Sequence, residues 1–195
     1  LGMYGASEVR FKLGNGAAFT MVQDTAYPWD GAIRFSFRNV RSEQGFVLKL
    51  RIPSWAESGS IVYNGKTRVI TEEDANTYIS LEINDPANSQ IAVTFDMPVR
   101  YTVAHPLVEE TNNQVAVERG PLLYCMENPD ADVETLDDLF LLSDAEYRTT
   151  DYEILGRKLV ALESKAAILK RKHDRKALYQ PLKVDGVETV PIRMI

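Results

Sequence analysis

Apolar and polar positions alternate at period two along most of the N-terminal half of the chain. Ile33, Phe35 and Phe37 alternate with Arg34, Ser36 and Arg38. Phe46, Leu48, Leu50 and Ile52 alternate with Val47, Lys49 and Arg51. Thr77, Ile79, Leu81 and Ile83 do the same with Tyr78, Ser80 and Glu82, and Ile91, Val93, Phe95 and Met97 with Ala92, Thr94 and Asp96. Each run predicts a strand with one face buried and the other wetted. Such strands need a layer to pack against, and a second sheet is the most direct supply.

The breaks between runs agree. Gly14-Asn15-Gly16 separates two strand-like runs and predicts a hairpin. Asn64-Gly65 stands between Ile61–Tyr63 and Thr67–Ile70, and both residues tolerate positive φ. Asp85-Pro86-Ala87-Asn88 interrupts the chain before Ile91, and Asp185-Gly186 is expected to turn Leu182–Val184 back onto Val187–Val190. Turns at this density predict sandwiches and argue against βαβ units.

A boundary is expected between Pro106 and Asn113. Strands are expected at Gln114–Arg119 and Pro121–Glu127, followed by an acidic stretch from Asn128 to Asp144. There Leu136, Leu139, Phe140 and Leu142 fit either a pinned connection or one or two helical turns. Lys158–Leu162 and Ala166–Leu169 read as two further strands, and the basic run from Lys170 to Lys176 as a solvated turn.

Composition narrows the function. The 195 residues carry a formal net charge of −6, which disfavours a nucleic-acid partner. Hydrophobic residues make up 45% of the chain, ordinary for a globular protein. The longest compact apolar run, Leu139–Leu142, is far short of the ~20 residues that cross a bilayer, so no membrane partner is expected. One cysteine, Cys125, excludes an internal disulfide and a multi-thiolate zinc site. His105 and His173 show no metal-ligand spacing. A start at Leu1 fits a fragment of something longer.

No phosphate loop, nucleophile elbow or His-Glu-x-x-His run occurs. Cys125 follows Leu123 at strand spacing and reads as a small buried hydrophobe, since a thiolate nucleophile needs a cation or helix N-terminus. His105, before Pro106, reads as a hydrogen-bonded or exposed side chain. Glu72-Glu73 and Asp137-Asp138 are sequence neighbours, which a strand would point to opposite faces. The aromatic turns are more informative. Tyr27-Pro28-Trp29-Asp30-Gly31 and Pro53-Ser54-Trp55 place rings at strand ends. Rings there cap a core or stack on sugar faces, with Asp30 available for hydroxyls.

Several of these segments, in order, resemble glycoside hydrolase family 127, the β-L-arabinofuranosidase-like family. Gln23–Gly31 resembles its Q-x-T-x-Y-P-W-x-G segment, and Leu50-Arg51-Ile52-Pro53-Ser54-Trp55 its L-R-I-P-x-W strand end. Val115–Glu127 resembles its V-A-x-x-R-G-P-L-V-Y-C-x-E segment, and Pro191-Ile192-Arg193 the approach to its last aromatic run. The resemblance implies a position downstream of an (α/α)6 catalytic barrel, whose glutamate, histidine and zinc-linked cysteine nucleophile have no counterpart at these positions. Two departures stand out. Ile83–Ser89 replaces an Arg-x-Trp-x-x-Gly-Asp-like stretch, and the chain stops at Ile195, before the family's final strand.

The expectation is therefore all-β: two packed, jelly-roll-like β-sandwich units, residues 6–108 and 109–195, with at most a short helix between them. The second is expected to lack the family's final strand. Catalytic, cofactor and metal residues are expected to be none in this chain, with any zinc in the catalytic domain. Tyr27, Trp29, Asp30 and Trp55 are the candidates for sugar or interdomain contact. The expected partners are the upstream barrel and, through a dimer contact, a second copy. The function expected is accessory, supporting a hydrolase of arabinose-containing plant glycans. The alternatives are an autonomous carbohydrate-binding module and an enzyme acting through Cys125 or His105. Cytoplasmic and secreted locations both stay open.

Overall fold

The computed structural model describes residues 1–41, 44–127, 130–131, 133, 135–171, 178–179, 181 and 184–195. The chain is all-β, with helix only as single 3-10 turns among the described residues. It divides into two compact units. Unit 1 is Leu1–Arg100 with Glu118–Leu122, and unit 2 is Tyr101–Val117 with Leu123–Ile195.

Unit 1 is a sandwich. Strands β1 (Ser7–Lys12), β2 (Ala18–Thr25), β3 (Ala32–Arg38), β4 (Phe46–Arg51), β5 (Gly59–Tyr63), β6 (Lys66–Ile70), β7 (Tyr78–Ile83) and β8 (Gln90–Phe95) follow one another along the chain. Six of them form one antiparallel sheet in the order β1-β2-β3-β8-β5-β6, while β4 pairs with β7 in another. The alternating positions do what the pattern predicts. Ile33, Phe35, Phe37, Ile61, Ile91, Val93 and Phe95 from the large sheet share one core with Leu48, Leu50, Ile79 and Ile83 from the small one. Arg34, Arg38, Val47 and Tyr78 point outward.

The turns follow from local chemistry. Asn64 and Gly65 take φ of 51° and 72°, which closes the β5–β6 hairpin with a twist matching its strands. Asp85 caps a 3-10 turn over Pro86–Asn88 by accepting from the Asn88 backbone N–H at 3.3 Å. Pro86 itself is fully buried.

Next come β9 (Val99–Thr102), β10 (Ala116–Arg119) and β11 (Leu122–Tyr124), a three-stranded sheet in the order β11-β10-β9. Unit 2 is built around one long strand. After β12 (Leu139–Leu141) and β13 (Arg148–Ile154), β14 runs unbroken from Arg157 to Arg171, and β15 covers Val184–Met194. β12 and β13 lie end to end on one edge of β14, and β15 takes the other edge.

Unit 2 corrects several expectations. Lys158–Leu162 and Ala166–Leu169 are parts of one strand, because Glu163–Lys165 stay in the ladder. Asp185-Gly186 makes no turn. β15 runs through it, and the register shifts opposite Lys170 and Arg171, so the pair forms a bulge. Leu182, and Lys172–Lys176 of the basic run with His173, lie outside the described residues. Within the acidic stretch Ala131 bridges to Ile192, and Leu136–Asp138 form a 3-10 turn leading into β12. Glu72 and Glu73 also lie on a 3-10 turn and not on a strand. Among the described residues no helix is long and apolar enough to cross a membrane.

Candidate functional site

The Tyr27–Gly31 turn is assembled by its own side chains. Thr25 Oγ1 donates to the Ala32 carbonyl at 2.6 Å and accepts from the Tyr27 N–H at 3.0 Å. Asp30 accepts from the Ala32 N–H at 2.7 Å, so its carboxylate shapes the turn as well as meeting solvent. The Tyr27–Pro28 bond is cis. Gly31 is obligatory, since a Cβ there would collide with the Phe95 carbonyl oxygen.

Trp55 lies in the turn that follows β4 and meets the Tyr27 turn. Its ring lies 6.4 Å from that of Tyr27, at an interplanar angle of 22°. Tyr4 stands edge-on to Tyr27 at 5.9 Å, and Phe95 closes the base, 5.6 Å from Trp55 and 5.3 Å from Tyr4. The Tyr4 hydroxyl donates to the Arg51 carbonyl at 2.5 Å. Burial raises its pKa well above the ordinary tyrosine value, which keeps the donor protonated. Burial also raises the Tyr27 pKa, an effect that a hydrogen bond with Trp55 partly offsets.

Two arginines fasten both turns. Arg119 donates to the Trp29 carbonyl at 3.0 Å. Arg100 donates to the Trp55 carbonyl at 3.0 Å, to Glu118 at 3.3 Å and to the Gly120 carbonyl at 3.4 Å. Gly120 has φ of 57°, and a Cβ there would run into the Met97 side chain. Of the four sequence candidates, the structure joins the rings of Tyr27 and Trp55. The Trp29 ring is half-buried and makes no ring contact among the described residues. Tyr4, Arg100 and Arg119 were missed. Arg119-Gly120-Pro121 was in plain view, but nothing in its spacing says that its arginine reaches Trp29.

The remaining candidates lie in unit 2. Cys125 is exposed, against the expectation of burial. It does share a face with Leu123, but that face is the wet one: Leu123 is also exposed, while Tyr124 between them is buried. The Cys125 N–H and carbonyl pair with Ile195. His105 is exposed, and its Nδ1 accepts from the Leu107 N–H at 3.2 Å. Among the described residues no group of three His, Cys, Asp or Glu side chains comes together to hold a metal.

Comparison with known proteins places the chain among glycoside hydrolases. Residues 1–97 match the profile described as "Beta-L-arabinofuranosidase, GH127 middle domain", and residues 99–193 match the "Glycoside hydrolase family 127 C-terminal domain". A non-reducing end β-L-arabinofuranosidase of Bifidobacterium longum subsp. longum is 34% identical over 117 residues, covering 58% of this chain and 18% of that protein. A solved glycoside hydrolase superposes with a TM-score of 0.87 at 33% identity over 98% of this chain. A GH127 β-L-arabinofuranosidase from Geobacillus stearothermophilus T6 superposes with a TM-score of 0.81 at 28% identity, again over 98% of this chain. The chain spans 32% and 30% of those two structures.

Proposed function

Because this chain belongs to glycoside hydrolase family 127, we propose that it is the accessory β-sandwich region of a β-L-arabinofuranosidase-like enzyme acting on arabinose-containing glycans. The chemistry resides in an upstream helical barrel, and any zinc resides there too. The observation carrying this reading is the pair of adjoining matches to a middle and a C-terminal domain, on a chain about a third as long as its solved relatives. The clamped turns suit the role. Both tryptophan-bearing loops are held by arginine-to-carbonyl bonds, which make a stiff rim for supporting a neighbouring domain.

Two assays test it. The full-length protein should release arabinose from a β-L-arabinofuranoside, and the 195-residue chain should not. Hydrolysis by the isolated chain, or an inactive full-length protein, would overturn the reading.

The near-parallel Tyr27 and Trp55 rings favour a second reading, an autonomous carbohydrate-binding module. It requires that the isolated chain bind a neutral arabino-oligosaccharide and that Trp55→Ala abolish the binding while the fold persists. A silent titration sinks it.

A further inference from the structure

The two faces of the six-stranded sheet are used differently. The inner face is spent on the core of unit 1. On the outer face, register sets Glu8, Arg10 and Lys12 of β1 opposite Val22, Thr20 and Ala18 of β2, and on the same face Asp24 and Thr20 of β2 stand opposite Arg34 and Arg38 of β3. Arg10, Lys12, Arg34 and Arg38 against Glu8 and Asp24 leave two positive charges in excess, on a chain of net charge −6. Among the described residues none of these six forms an ion pair, although Asp24 stands directly opposite Arg34.

Asp24, Arg34, Ser36, Arg38, Gln90 and Val62 border an open hollow of about 630 Å³ on this face. The strands hold these groups in rows. Arg34 and Arg38 are four residues apart on one strand, roughly 13 Å. Two guanidiniums at that spacing suit separate carboxylates along an extended ligand better than one shared anion, since each fork takes a carboxylate in two parallel hydrogen bonds. Ser36 and Gln90 between them, with Asp24 opposite Arg34, supply the donors and acceptors that sugar hydroxyls need.

We propose that the outer face of β2, β3 and β8 binds an acidic glycan, a chain of uronic-acid sugars, with Arg34 and Arg38 taking its carboxylates. This rests on the reading of the parent protein as a glycan-degrading enzyme. It adds a site away from the Tyr27–Trp55 rings and a ligand charge that arabinose lacks.

The test is a titration of the isotope-labelled 195-residue chain, followed by amide resonances, with an oligogalacturonate and separately with a neutral arabino-oligosaccharide. The oligogalacturonate should shift amides of β2, β3 and β8, and salt should weaken it. Joint Arg34→Gln and Arg38→Gln substitution should cut its affinity at least about tenfold. Both side chains are exposed, so the double variant should keep its circular dichroism spectrum. Three results would each overturn the proposal: no shifts with oligogalacturonate, an equal response to the neutral sugar on this face, or unchanged affinity in the double variant. Arabinofuranoside hydrolysis by the full-length protein separates the two ideas. A silent titration beside an active enzyme removes this site and leaves the functional reading standing; an inactive enzyme removes the reading on which it rests.

Discussion

Unit 1 and unit 2 hold themselves together by different means. In unit 1 two sheets face each other, and their alternating apolar positions merge into one core that includes Phe35, Leu50, Ile83 and Phe95. In unit 2 the strands gather along β14, and among the described residues the buried apolar set is shorter and rich in alanine: Ala131, Ala161, Leu162 and Ala166, with Val117, Tyr124, Ile192 and Met194. Charge takes up part of that role. Glu163 on β14 stands in register between Arg148 on β13 and Arg193 on β15, paired to them at 2.6 Å and 3.2 Å. Arg193 also lies 5.2 Å above the Tyr152 ring. Two all-β units on one chain thus differ in what would break them. Unit 1 answers to lost volume, and unit 2 to lost charge and to turn chemistry.

The largest effect should come from Phe35→Ala. The side chain is 1% exposed, and its removal opens a cavity where both sheets meet. Unit 1 should lose about 3–5 kcal/mol. The chain's two tryptophans, Trp29 and Trp55, both lie in unit 1, so their emission in a denaturant titration reads that unit alone. A loss under about 1 kcal/mol would mean that the two sheets do not share one packed core.

The next effect should be a gain. Leu155 and Gly156 close the β13–β14 hairpin with φ of 51° and 74°, the same arrangement as Asn64-Gly65. Leu155 is 96% exposed, so its backbone strain is not repaid by burial. Leu155→Asn should stabilise unit 2 by about 1 kcal/mol, read from amide exchange in β13 and β14. An unchanged exchange rate would show that the turn is not a weak point.

Glu163→Gln should have the smallest effect and should depend on pH. Hydrogen bonds from Arg148 and then Arg193 lower the Glu163 pKa below the usual carboxylate value. A carboxyl with a depressed folded pKa contributes its full share above its unfolded pKa, and loses it as pH falls through the folded one. The parent's unit 2 should therefore weaken on acidification more than the variant's, with most of the difference gone once Glu163 is protonated. Parallel exchange–pH curves for parent and variant would refute the ladder.

The same contrast explains what could be read from the chain beforehand. The unit 1 strands showed because each turns one face to a single core, and Asn64-Gly65 showed because its residues tolerate the turn they make. The Leu155-Gly156 hairpin stayed hidden because leucine is a poor residue for positive φ. The length of β14 was hidden by its middle. Glu163 is taken up by two arginines and Ser164 donates to the Glu146 carbonyl at 2.7 Å, so polar residues stand where a buried strand shows none. Asp185-Gly186 carries the composition of a turn yet forms a bulge, a choice that its partner strand makes. At the ring site the aromatic residues were visible, but their clamps were not. An arginine reaching a carbonyl some ninety positions away leaves no periodic trace.

Glu118–Leu122 belongs to unit 1 although the chain has by then already entered unit 2. During synthesis the first sandwich therefore waits for its Arg119 clamp until residues of the second have been made. The gene offers no single cut that yields both units whole. A fragment ending at Arg100 would carry Trp29 without the arginine that fastens its loop, and the remaining piece would carry that arginine with no loop to hold.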